Sequence, residues 1–174
     1  MSQSYEFLHP SKRINVKLTN LYCESFDKKL IEFRQCSLKA IKRDMTEISV
    51  YAKLKIKPLN STSIKVSFRR RGDTQRSLYQ YRVDACEFMR NKRRNPLAQI
   101  FFNFFDFLKY SNINHTCPYD FKTFSQHDII ITNCRVNTKP LTYLSIAQGE
   151  YTLFSTWFFY GKPAVQVDLS INIS

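Results

Sequence analysis

The stretch Ile48-Ser49-Val50-Tyr51-Ala52-Lys53-Leu54-Lys55-Ile56 decides the fold class. Every even position is aliphatic and every odd position is polar or amphipathic, which is the period of a β-strand with one wet face. Pro58-Leu59-Asn60-Ser61 then reads as a turn, and Ile64, Val66 and Phe68 alternate with Lys65, Ser67 and Arg69 in the same manner. The expectation over 48–69 is a β-meander. Arg71-Gly72-Asp73 tips the next turn, where Gly-Asp is ordinary turn chemistry rather than an integrin motif, before a short strand over 78–83.

Upstream, strands are expected over 14–23 and 34–42 with a turn at 25–29, so that Cys23 and Cys36 face each other across a hairpin. Downstream, strands are expected over 128–136, 150–160 and 162–173, with Tyr160-Gly161-Lys162-Pro163 as a hairpin turn. Between 151 and 160 both parities are apolar, Leu153, Trp157 and Phe159 on one side and Phe154 and Phe158 on the other. Both faces of that strand should therefore be covered.

The period changes once. Leu97, Ile100, Phe101, Phe104, Phe105 and Leu108 recur at three- and four-residue spacing, and Pro96 suits a first helical turn. One helix is predicted there, ending before Ser111-Asn112-Ile113-Asn114. Phe102 and Phe107 fall off the stripe, so the helix is apolar over more of its circumference than one core face needs. Each sheet must bury an apolar face, so the strands imply a mainly β, antiparallel two-sheet sandwich with one inserted Phe-rich helix. Propped open at one end by that helix, the sandwich becomes a cup.

Composition agrees with one folded domain. A chain of 174 residues, 43% hydrophobic, can bury one sizeable core, and fifteen Phe and ten Tyr against three Gly favour strands. The domain is expected over 14–174, after a flexible tail over 1–13. Lys and Arg number 27 against 14 Asp and Glu, a net charge of +13 that draws the protein toward anionic partners without choosing among them. The basic residues are scattered along alternating strands, as on a solvated face.

Five cysteines, Cys23, Cys36, Cys86, Cys117 and Cys134, contain no CxxC pair and no metal-ligand spacing, which argues against zinc. Two disulfides and one spare thiol is the simplest count. Asn60, Asn114 and Asn172 head glycosylation sequons, which suit a secretory route. Met1 to Lys17, in contrast, has no apolar core of a signal peptide.

Four stretches carry a resemblance: Thr19-Asn-Leu-Tyr-Cys-Glu-Ser25, Cys36-Ser-Leu-Lys39, Val83-Asp-Ala-Cys-Glu-Phe-Met89 and Ser111-Asn-Ile-Asn-His-Thr-Cys-Pro-Tyr119. From about Asn15 onward the chain resembles the large insect family of small secreted proteins that includes the CheB chemosensory proteins. That family is similar in turn to the ganglioside activator protein, a β-cup of the lipid-recognition superfamily. His115-Thr-Cys-Pro-Tyr119 followed by Gly149-Glu-Tyr151 looks like its Cys-Pro-Phe and Gly-Asn-Tyr segments. The resemblance implies an extracellular protein with a lipid or other apolar ligand between its sheets, and a pairing of Cys86 with Cys117.

The function expected is therefore non-enzymatic binding, with chemosensation as its setting. His9, His115 and His127 have no nucleophile or paired carboxylates around them in any recognisable pattern, so no catalytic residue, metal or cofactor is expected. The candidate cavity residues are Phe101, Phe102, Phe104, Phe105, Phe107, Leu108 and Trp157. The alternative is that the Phe cluster plugs the sandwich. Lys92, Arg93 and Arg94, just ahead of the helix, are candidates for an anionic head group at the cavity mouth. An anionic membrane surface or glycans are further candidate partners. An adhesion module with a filled core is the second reading. Nucleic-acid binding is the remote one, since stacking sites need aromatics on an exposed basic sheet face.

Overall fold

In the computed structural model, residues 13–55, 59–73, 76–114, 116–117 and 128–174 are described, Leu97 and Ile100 by backbone alone. The tail over 1–12, Ile56, Pro58, the three histidines and Pro118-Tyr119 lie outside the described residues.

Eight strands form two antiparallel sheets. They are β1 (Val16–Ser25), β2 (Ile31–Lys42), β3 (Met45–Leu54), β4 (Thr62–Arg70), β5 (Tyr79–Asp84), β6 (Asp128–Asn137), β7 (Gly149–Phe159) and β8 (Lys162–Ile173). One sheet has the order β1-β8-β7-β4-β5 and the other β2-β3-β6. Two helices, α1 (Ala85–Arg90) and α2 (Pro96–Phe105), separate β5 from β6. The mainly β, two-sheet sandwich is the architecture that the alternation implied.

Two expected pairings are corrected. Strands β3 and β4 do not form a meander, because β3 pairs with β2 and β6 while β4 pairs with β5 and β7. The connection from Leu54 to Thr62 thus crosses between sheets. Cys23 and Cys36 are bonded to each other, but across the sandwich and not across a hairpin, since β1 and β2 belong to different sheets.

β-Bulges bring these two cysteines to face each other. On β1 the inward residues are Val16 and Leu18, and with strict alternation Cys23 would point outward. A register shift between Leu18 and Asn20 reverses the parity, so that Leu21 and Cys23 turn toward the opposite sheet. A matching shift between Phe33 and Gln35 does the same for Cys36 and Leu38. On β6 the extra residue falls at Asn133, which takes the left-handed conformation (φ 51°), and its backbone N–H donates to Ser49 Oγ at 3.0 Å. Ile131 and Cys134 thereby both line the interior.

The β7–β8 hairpin closes through Tyr160 and Gly161, both with positive φ (49° and 76°), as a two-residue turn matched to strand twist requires. Among the described residues, the inner face of β7 meets the second sheet and α2. The outer rings of Phe154 and Phe158 are covered instead by the guanidinium groups of Arg69 and Arg82, at 5.3 and 4.5 Å from the ring centroids. The cover expected on both faces is thus supplied, on the outer face, by side chains of the same sheet.

Strand alternation did not predict α1. Its signal is Asp84-Ala-Cys-Glu87, in which Asp84 caps the helix by accepting from the Glu87 N–H at 2.8 Å. Helix α2 starts on Pro96 with Asn95 as its cap, and stops at Asp106 in the left-handed conformation (φ 48°), a turn earlier than the apolar stripe suggested. The disulfide between Cys86 on α1 and Cys117 encloses α2 in one covalent loop.

Candidate functional site

The five-stranded sheet is wider than its three-stranded partner, and α1 and α2 cover the excess. Phe88 of α1 and Ala98 and Phe102 of α2 share one buried cluster with Ile64, Val66 and Val83 of β4 and β5. The remaining face of α2 looks between the sheets.

An apolar cavity of about 120 Å³ lies there. Leu21 of β1, Leu153 and Trp157 of β7, and Val167 and Leu169 of β8 form one wall. Ile48 and Val50 of β3 with Ile131 and Cys134 of β6 form the facing wall. Phe101 and Phe105 of α2 close the side, with Phe107 from the turn that follows. A smaller compartment of about 30 Å³ adjoins it, the two sharing Ile64, Phe107 and Trp157 as common wall.

The candidate aromatics divide among these surroundings. Phe101, Phe105, Phe107 and Trp157 line the larger cavity, whereas Phe102 and Leu108 line the smaller one beside Phe107 and Trp157. Phe104 lines neither and packs edge-on against Phe105 at 5.0 Å. Phe102, off the predicted stripe, is the buried anchor of the helix at 6% exposure, so the core-facing positions differ from those the spacing suggested. The reason is that α2 packs across β4 and β5 on one side and over the cavity on the other. A single stripe does not describe it.

Polar groups in the larger wall are already satisfied. Ser155 Oγ donates to the Val167 carbonyl at 2.7 Å and accepts from Trp157 Nε1–H at 3.2 Å. The Cys134 thiol is free, 1% exposed, and donates to the Phe105 carbonyl at 3.2 Å. Burial, helped by the nearby Asp106 carboxylate, pushes its pKa up to about 11. Such a thiol is protonated and unreactive at neutral pH.

Lys92, Arg93 and Arg94 form an exposed turn of 3-10 helix between α1 and α2, and none of them lines the apolar cavity. Arg94 faces a separate polar groove with Glu87, Arg90 and Asn91. The basic run expected at the cavity mouth lies on the turn between α1 and α2, outside the cavity's described lining. Asn60 and Asn114 are exposed, whereas Asn172 is half-buried within β8, paired to both neighbours. Among the described residues no group of His, Cys, Asp and Glu could hold a metal, and no helix is long and apolar enough to cross a membrane.

Comparison with known protein families finds one match. Residues 62–153, from the start of β4 into β7 and including both helices, match the family described as "Protein of unknown function (DUF1091)". The chain belongs to this family. No curated protein matches the chain. The matched part of this DUF1091 protein supplies α1, α2, the Cys86–Cys117 bridge and most of the cavity's helical side. The Cys23–Cys36 staple and β8 lie outside it.

The cavity residues that sequence patterning missed are mostly aliphatic: Leu21, Ile48, Val50, Ile131 and Leu153. Alternation marks Ile48, Val50 and Leu153 as inward-facing, whereas Leu21 turns inward only through the bulge on β1. Alternation does not distinguish a side chain packed against its neighbours from one facing a void.

Proposed function

We propose that this protein is a non-enzymatic, extracellular binding protein that holds a lipid or other small apolar ligand between its two sheets. The observation that carries the reading is the apolar cavity walled by both sheets and closed by Phe101, Phe105 and Phe107. Ligand sites are concave, mostly apolar and largely pre-formed, with few polar groups in the wall. Two disulfides, one between the sheets and one around α2, suit an oxidising compartment. The resemblance to CheB-like and ganglioside-activator proteins supports the same reading, with chemosensation as the setting proposed.

Apolar association is strong enough for the task. Each buried CH₂ contributes about 0.8 kcal/mol, so an acyl chain that enters by displacing side chains of α2 offsets the cost of its own immobilisation within several methylenes. Native mass spectrometry of protein secreted from insect cells tests the proposal. A co-purifying lipid, or saturable uptake of a fluorescent fatty acid, is the expected result. Protein that carries no small molecule and takes up no apolar probe overturns it in favour of a filled-core module.

A further inference from the structure

Among the described residues that line the smaller compartment, one carries a hydroxyl. Thr62, at the start of β4, is 4% exposed and lies in a wall made otherwise of apolar and aromatic groups, among them Leu59, Ile64, Phe102, Phe107 and Phe159. Its Oγ1 is buried and has no hydrogen-bond partner. Every other cavity group that can donate strongly is committed: Ser155 to the Val167 carbonyl and the Trp157 indole N–H to Ser155.

A buried hydroxyl without a partner is destabilising, and natural interiors rarely keep one. Water is a poor remedy at this place. A buried water needs two to four polar partners, and among the described residues this wall offers it one hydroxyl, although about 30 Å³ is room enough. An oxygen covalently attached to an apolar body needs only the one partner, because its remaining surface is satisfied by hydrocarbon contact.

We infer, resting on the binding reading above, that the ligand carries an uncharged oxygen function, a hydroxyl or a ketone or ester carbonyl. This oxygen seats against Thr62 Oγ1 while the hydrocarbon body occupies the larger cavity. Neutrality follows from the walls: among the described residues neither compartment is lined by a Lys or Arg side chain, so a carboxylate or phosphate would be buried there without a counter-charge. Thr62 both donates and accepts, so it serves an alcohol or a carbonyl equally. The larger cavity is close in size to apolar cavities of about 150 Å³ that take up benzene, so it holds a short hydrocarbon body without rearrangement.

The test compares octane, octanol and methyl hexyl ketone, each displacing an uncharged naphthylamine dye from wild type, Thr62→Val and Thr62→Ser. Thr62→Val keeps the shape of the side chain and removes the hydroxyl. It is expected to weaken octanol and the ketone roughly three- to ten-fold, leave octane unchanged, and raise the melting temperature of the empty protein. Thr62→Ser is expected to retain the preference. Equal effects of Thr62→Val on octane and octanol, or none on either, overturn the assignment of Thr62 while leaving the cavity reading intact. A wild type that takes up neither the dye nor any of the three compounds overturns both.

Discussion

Replacing Phe102 by alanine removes the anchor that holds α2 on the five-stranded sheet. The ring is 6% exposed, stacks on Phe88 with centroids 4.5 Å apart, and meets Phe101 edge-on at 5.8 Å. Transfer of a Phe side chain out of water is worth about 1.5–3 kcal/mol, and ring pairing adds about 0.5–1.5 kcal/mol. With the void left behind, buried Phe→Ala changes cost about 3–5 kcal/mol. With a urea m-value of about 2 kcal/mol per M, the unfolding midpoint should fall by about 1.5–2.5 M. The melting temperature should fall by about 6–20 °C. Phe105→Ala is the control. That ring is half-buried and faces the cavity on one side, so it has fewer packed neighbours to lose, and its cost should be less than half as large. Paired urea titrations of the two variants are the assay. Equal losses, or a loss below about 1 kcal/mol for Phe102→Ala, would refute the placement of the anchor.

Non-reducing peptide mapping should recover Cys23–Cys36 and Cys86–Cys117 with Cys134 free; the chain-entropy model gives about 3 and 4 kcal/mol for the two bridges, and a Cys86→Ala/Cys117→Ala variant losing under about 1 kcal/mol would contradict it. The Cys134 pKa is raised on folding from 9.0 to about 11, so the unfolded chain gives up its proton first as pH climbs. That contribution is complete below pH 9 and is lost between about pH 9 and 11, amounting to at most about 2–3 kcal/mol. Cys134→Ala, measured alongside wild type over that window, should lack the difference. Burial raises the pKa of Asp168 on β8, so its charge is held at a cost in the folded state. Asp168→Asn should therefore be more stable than wild type near neutral pH and no different in strong acid, where both are uncharged; a destabilised variant at pH 7 would show that the Gln166 side-chain bond at 2.5 Å outweighs the burial.

How far the residues alone carried the structure can be traced strand by strand. Where alternation is unbroken, as in Ile64–Phe68 or Val165–Ile173, strand and buried face follow at once. Pairing partners do not, because the same alternation serves a hairpin or a crossing between sheets, and β3 and β4 look alike in sequence while lying in different sheets. Bulges are the second gap. At Thr19-Asn20 and near Asn133 the inward set changes parity, and only the apolar spacing, Leu18 to Leu21 and Ile131 to Cys134, hints at it. Helix α1 had a legible cap in Asp84 and Glu87 that the strand-like run before it masked. The cavity's aromatic wall was legible as surplus Phe, but Thr62 was not, since a threonine opening a strand is ordinary β chemistry.

The cavity itself is the part of the design that folding does not require. If it were fully enclosed, an unfilled volume of about 120 Å³ would cost at most about 3 kcal/mol at about 24 cal/mol per Å³, a substantial part of a domain's whole stability. Ser155 and Cys134 face it from β7 and β6, at strand positions where a β-branched aliphatic residue would suit the pleat and reduce the void. Two bridges of similar individual magnitude offset that cost, and one of them encloses α2 without fastening the helix itself to a sheet. Of the side-chain bonds that α2 and its caps make to the strands, two stand out: Tyr81 Oη–H to the Asn95 cap at 2.7 Å and the Cys134 thiol to the Phe105 carbonyl. The helix is therefore enclosed in a covalent loop but held in place mainly by ring packing, which rearranges one side chain at a time. By linkage, a ligand present at a hundred times its Kd adds about 2.7 kcal/mol, close to that upper figure for the void. On the proposed reading, a site that exchanges an apolar ligand would draw on that balance.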